Sequence, residues 1–345
     1  MNFRRGFGQH RRLAVTLLVL VNVMCVQLLT AAQVGTATSV RPAMVPANFN
    51  QLAGPQAVVP MPQEMLDPNP SAVRLRFYDP PVDYGMVELG GELYQSAQML
   101  GEANTIEPGY PDVPRVTRLI MIDRTGDVDL TILNQQFHLE QGGIPAPVQP
   151  LQGDNSYDPS VPVLPVGEVY ANNDWYPSQL ATISAPMTLR DLRFVVLNVF
   201  PVQVNPVTGE RRVYDELEVL VENVGGTGEN EIPFVPTSIT PSFKKMYRMF
   251  ENFEGSAIDA LPVFPGSMLI FCANDTVIIN RIGELAQWKK RKGLDVVVRP
   301  GSWSAQAIRD TIRAVYTQSG HKLEHALLVG DPAGSGAYLM PTTGS

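Results

Sequence analysis

Apolar and charged residues alternate strictly through Val73-Arg74-Leu75-Arg76-Phe77. That period of two marks a strand with one face buried and the other solvated. A second strand-like run spans Val116 to Ile122. After a turn at Thr125-Gly126-Asp127, a third begins with Val128, Leu130 and Ile132. Leu192 to Val199 and Leu217 to Glu222 read as two arms of one hairpin, with the turn chemistry of Asn205-Pro206-Val207-Thr208-Gly209 between them. Gly142 to Pro165 is a proline-rich loop. Strands divided by turns, with no helical period among them, predict an all-β antiparallel sandwich over residues 73–240.

The pattern changes beyond residue 240. Ser267 to Cys272 is almost continuously apolar, as in a parallel strand covered on both faces. Asn274 or Asp275 is placed to cap a helix carrying Ile278, Ile282 and Leu285 on one face. Lys289 to Lys292 crowd its C-terminal end, where the helix dipole favours cations, and Gly293 stops it. Val296 to Val298 form a second strand. Ser302 or Ser304 then opens a helix with Ile308, Ile312 and Val315, ended by Gly320. Ala326 to Val329 make a third strand, closed by Gly330-Asp331. This β-α-β-α-β order is the opening half of a doubly wound α/β domain. Two helices cover such a sheet incompletely, so the expectation is a truncated α/β domain over 266–345, joined to the sandwich by a linker at 241–265.

The N-terminus has a different composition. Arg4, Arg5, Arg11 and Arg12 precede an apolar run from Leu13 to Ala32, the layout of an export signal over residues 1–32. Its rival is a retained membrane anchor. Residues 33–72 are rich in proline and read as an extended leader. Removing the signal takes away four positive charges and no negative ones, so the net charge moves from −8 to −12. An exported chain this acidic has nothing with which to neutralise a run of phosphates, which excludes nucleic acid as a partner. Contact with a membrane is expected through the signal segment alone.

Candidate chemistry is sparse. Cys25 lies in the signal, leaving Cys272 as the single thiol of the exported chain, so neither an internal disulfide nor a cysteine metal site can form. His10, His138, His321 and His325 are too scattered for a zinc motif. Cys272 ends the first parallel strand while His325 begins the third, which puts them at opposite edges of a parallel sheet. A buried structural thiol is therefore the expectation rather than a nucleophile. Gly330 to Gly336 is not a phosphate loop, because no Gly-Lys-Ser/Thr follows. Asp331 lies at the edge where α/β sites form. Lys244, Lys245 and Arg248 fall between the two predicted domains and read as a processing region, since exposed linkers are where nicking concentrates.

Met268-Leu269-Ile270, the run Leu285 to Val297, and His325-Ala326-Leu327-Leu328-Val329-Gly330-Asp331 together resemble the start of the gingipain-type cysteine peptidase domain. Leu197 to Gly209 with Val213-Tyr214 is similar to the last hairpin of the gingipain propeptide. The resemblance covers residues 73 to 331. It implies a secreted zymogen in which a β-domain acts as chaperone and inhibitor, contacts the peptidase domain within the same chain, and precedes a caspase-like domain that cleaves protein substrates. The family's catalytic His and Cys belong to Gly-His-Gly and Ala-Cys segments. Cys272, His321 and His325 do not match those segments, so the resemblance implies no catalytic residue in this chain and predicts that this portion is inactive. It leaves bound calcium open. The competing reading is a non-catalytic surface or adhesion protein.

Overall fold

The computed structural model describes residues 61–150 and 161–331. The expected signal (1–32), most of the proline-rich leader, part of the Gly142–Pro165 loop and the glycine-rich run after Asp331 lie outside them.

Two antiparallel sheets face each other across one core. In the first, β1 (Gln63–Asp67) pairs with β2 (Ala72–Tyr78), and β2 pairs with β12 (Glu210–Gly225). β11 (Val202–Val204) pairs with β12 beyond the end of β2, and β7 (Asp127–Gln141) runs along the other side of β12. In the second sheet β10 (Leu192–Val199) is central. It pairs with β6 (Pro114–Ile122) on one side and with β8 (Ala181–Ile183) and β9 (Met187–Leu189) on the other. β5 (Ala103–Asn104) pairs with β6. A separate hairpin, β3 (Val82–Leu89) with β4 (Glu92–Met99), turns at Gly90-Gly91, both at positive φ.

The alternation predicted for β2 fixes its inner face. Val73, Leu75 and Phe77 are wholly buried against Leu217, Val219 and Val221 of β12 and against Val195, Leu197 and Val199 of β10. Arg74 and Arg76 point outward and pair with Glu218.

The hairpin expected from Leu192–Val199 and Leu217–Glu222 is not formed. β10 and β12 lie in opposite sheets. The chain changes sheets at Phe200-Pro201, where proline removes a ladder donor. The hairpin that does form is β11 with the start of β12, turning at Asn205–Gly209. There Asn205 Oδ1 accepts from the Val207 and Thr208 amides, and Gly209 takes φ 72°.

The second region is a three-stranded parallel sheet in the order β14 (Asp295–Pro300), β13 (Ser267–Cys272), β15 (Leu323–Val329). Asp275 caps the helix Thr276–Arg291 by accepting from the Val277 and Ile278 amides, and Ser304 caps the helix Ala305–Gln318 through the Ala307 amide. The first helix covers Met268, Ile270 and Cys272, and the second covers Leu269 and Phe271, so β13 is buried on both faces as its apolar run requires. Two short helices were not anticipated: α1 (Gly167–Ala171) and α2 (Pro241–Tyr247). With these, the two longer helices are α3 and α4. Among the described residues no helix is long and apolar enough to cross a membrane.

Candidate functional site

The segment expected as a linker, 241–265, is a packed strap over its first half. Phe243, Tyr247, Phe250 and Phe253 recur every three or four residues. They meet the outer face of the second sheet, where Leu192 and Phe194 of β10 and Met121 of β6 are buried. Tyr247 and Phe253 are fully buried, with ring centroids 5.8 Å apart. Polar bonds fix the register. The Glu251 amide donates to Leu119 O. Asn252 accepts from the Met121 amide at 2.8 Å and donates to Met121 O and Pro68 O. The strap thus takes up backbone groups of β6 that pair with no strand there.

The candidate processing residues lie on this strap. Lys244 and Lys245 are in α2, and Arg248 is its C-cap. Lys244 is tied down, because its ammonium donates to Asp259 O at 2.6 Å and pairs with Asp259 Oδ1 at 3.0 Å. Those contacts hold the Asp259 carboxyl below its ordinary range. Lys245 and Arg248 are exposed.

The strap also forms a seam with the parallel-sheet region. Thr240, at the N-cap of α2, donates its hydroxyl to the Glu324 carboxylate rather than capping the helix, and Ser242 donates to Glu324 Oε2 at 3.2 Å. The His321 ring lies 4.1 Å from that of Phe234 and 4.5 Å from that of Tyr316. Beside them Arg190 stacks on Phe243 at 4.3 Å and pairs with Asp191 at 3.4 Å, both side chains being almost entirely buried. Tyr247 accepts from the Asp191 amide and donates to Leu189 O.

Burial pushes the Asp191 carboxyl above the usual range, against the pull of Arg190, His321 and Tyr247. The folded chain therefore holds this proton more tightly than the unfolded chain. The stabilisation is complete below the unfolded value and is lost as pH rises through the folded one. Asp191→Asn is expected to flatten the pH dependence of the urea midpoint above the ordinary carboxylate range, whatever its effect on absolute stability. An unchanged slope would exclude Asp191 as its source.

The remaining candidates are scattered. Cys272 is wholly buried between β13 and α3, and burial raises its thiol pKa. It pairs in register with Val329, whereas His325 lies opposite Met268. Four strand positions separate thiol and imidazole, about 13 Å along the sheet. His325 is exposed, and Asp331 follows β15 at the edge where Cys272 ends. His138 lies on β7, its pKa raised by the Asp215 carboxylate 2.8 Å away. Among the described residues no three His, Cys, Asp or Glu side chains gather as metal ligands would. The seam itself escaped sequence reasoning, although the aromatic spacing from Phe243 to Phe253 was a visible signal for the strap.

Comparison with known proteins bears on the whole of this arrangement. The profile of the Propeptide_C25 family matches residues 61–247, more than half of the chain. Gingipain R2 of Porphyromonas gingivalis is 27% identical over 245 residues, covering 69% of this chain and 33% of that protein. Gingipain R1 of the same species is 28% identical over 245 residues, again 69% of this chain but 24% of that protein. The matched stretch thus spans a third or less of these relatives. A solved structure described as a complex of P. gingivalis RgpB pro- and mature domains matches with a TM-score of 0.51 and 25% identity, covering 56% of this chain and 97% of that one.

Proposed function

The chain belongs to the Propeptide_C25 family, and from that premise we propose that it is the exported precursor of a gingipain-like cysteine endopeptidase. The observation that carries the reading is one of extent. The family match over residues 61–247 begins just before β1 and ends with α2. It therefore takes in both sheets and the first part of the strap. In this reading the β-region, 73–240, is an inhibitor and folding partner, and residues 266–345 begin a caspase-like peptidase domain. The match to a solved pro- and mature-domain complex supports contact between the two kinds of domain.

Hydrolysis of peptide bonds is assigned outside the described residues. A cysteine nucleophile needs an imidazole within hydrogen-bond reach, and Cys272 is buried about four strand positions from His325. The reading of export, with protein substrates met outside the cytoplasm, is supported by the basic and apolar pattern of residues 1–32 and by the likeness to gingipains. A display or adhesion role has no such support.

Mixed in excess with a gingipain-type peptidase domain freed of its own propeptide, the chain is expected to lower peptide hydrolysis about tenfold, as occupancy near 90% requires. The two should also co-elute on gel filtration. Full activity with separate elution would overturn the reading.

A further inference from the structure

Of the strands that end the two facing sheets, only β7 is long. From Asp127 to Gln141 it pairs with β12 and, among the described residues, with no other strand. The other edge strands, β1, β5, β8, β9 and β11, run to five residues or fewer. Folded chains blunt a sheet edge with short length, proline or lysine, because its free amides and carbonyls accept any further strand. β7 contains no proline, glycine, lysine or arginine, and Ile132, Leu133, Phe137 and Leu139 on it are exposed.

The sequence of β7 indicates which strand fits that edge. Leu133 is an extra residue, since Ile132 lies opposite Val219 and Asn134 opposite Glu218, which are consecutive on β12. The bulge shifts the alternation by one. Leu130 and Ile132 before it face Val221 and Val219, while Gln135 and Phe137 after it face Leu217 and Tyr214, all four partners being buried. Core-side positions are therefore even-numbered before the bulge and odd-numbered after it.

A second β7 laid antiparallel, with a two-fold axis between Leu133 and Asn134, meets this pattern. Leu130 of one copy then lies against Phe137 of the other, Val128 against Leu139, and Thr131 against Gln136. Core-side positions meet core-side positions throughout, and each match occurs twice, as an isologous contact requires. A shift of one residue would set core-side positions against outer ones. Charge agrees with the same register, because Asp129 lies against His138, whose charged form the Asp215 carboxylate favours. Its one like-charge pair, Asp127 with Glu140, falls at the two ends, where Arg211 lies 3.5 Å from Glu140.

We propose that the chain associates as a two-fold dimer through β7, with one antiparallel sheet running continuously across the axis. The occupant of the open edge is a second copy of this chain. The proposal uses nothing of the precursor reading and stands or falls apart from it.

Sedimentation of the intact chain at about 50 μM is expected to give twice the monomer mass. Leu139→Lys sets a cation against Val128 on an exposed edge and acts twice in the dimer. It should weaken association at least about tenfold and leave the urea midpoint of the monomer unchanged. Register is read separately. When Thr131→Cys and Gln136→Cys chains are mixed and oxidised, a disulfide should join the two substituted positions, because opposed side chains on paired strands bring their Cβ atoms within about 5 Å. Neither variant alone should form a link at its new cysteine. A monomer at this concentration, a dimer indifferent to Leu139→Lys, or a mixture with no 131–136 disulfide would overturn the proposal. So would an edge covered only when a gingipain-type peptidase domain is added, since its occupant would then be of another kind.

Discussion

Phe253→Ala is expected to destabilise the chain by about 3–5 kcal/mol, the range for removing a fully buried aromatic ring. The ring is wholly buried against Tyr247, in the cluster that also holds Met121, Leu192, Phe194 and Phe250. It also ends the aromatic row, so its loss frees the end of the strap. Two measurements should therefore move together. Denaturant unfolding should shift by several kcal/mol, and cleavage by a trypsin-like protease after Lys245 and Arg248 should accelerate relative to cleavage after Lys289, Lys290 and Arg291 on α3. Phe253→Leu should retain most of the stability and most of the protection. A change below about 1 kcal/mol in the alanine variant would mean that the strap is not held by this cluster.

The second large effect concerns Arg193, which is 1% exposed inside the sandwich. Its guanidinium donates to Gly126 O at 2.7 Å, Glu229 O at 2.9 Å and Asp123 O at 3.1 Å, drawing the turn before β7 and the loop after β12 onto β10. Glu231 closes the same knot by accepting from the Gly126 and Gly228 amides, and these two bonds hold its carboxyl below the ordinary range. Arg193→Met keeps the bulk but strands three carbonyls, at about 1–3 kcal/mol for each one left unsatisfied. A loss of about 3–5 kcal/mol is expected, with little rescue by Arg193→Lys, because an ammonium cannot reproduce the planar fork. Gly228→Ala probes the knot from the other side. A Cβ there would overlap the Gly126 carbonyl and the Arg193 guanidinium, and the carbonyl is backbone that cannot rotate away. If both variants unfold at the wild-type denaturant concentration, the knot carries no stability.

Much of the fold was legible because it is written in local periods. The alternation at Val73 to Phe77 named the face that β2 buries, and the unbroken apolar run at Ser267 to Cys272 named a strand covered on both sides. Asn274 or Asp275, and Ser302 or Ser304, announced the two longer helices, and the structure makes Asp275 and Ser304 the caps. The family resemblance lay in the same short runs, in order along the chain. Strand pairing was less legible. Leu192 to Val199 and the return strand have compatible patterns and a turn between them, yet they pair with different partners. Alternation specifies which face is buried and is silent on which neighbour lies alongside.

The candidate site shows where local information stops. Lys244, Lys245 and Arg248 stand out in the sequence because charge is visible one residue at a time. Their attachment is not visible, because it depends on Asp259, on the aromatic row and on an outer sheet face far upstream at Met121, Leu192 and Phe194. The seam is still more distributed, with Thr240 meeting Glu324 across 84 positions. By itself the sequence determined the five longest-patterned strands of the β-region, the three parallel strands, the two long helices and the family resemblance. The tertiary structure decided the sheet partners, the burial of the strap and its seam with the parallel sheet. A hydrogen-bonding period repeats within a few residues of itself. Burial and protection are set by whatever the rest of the chain brings alongside.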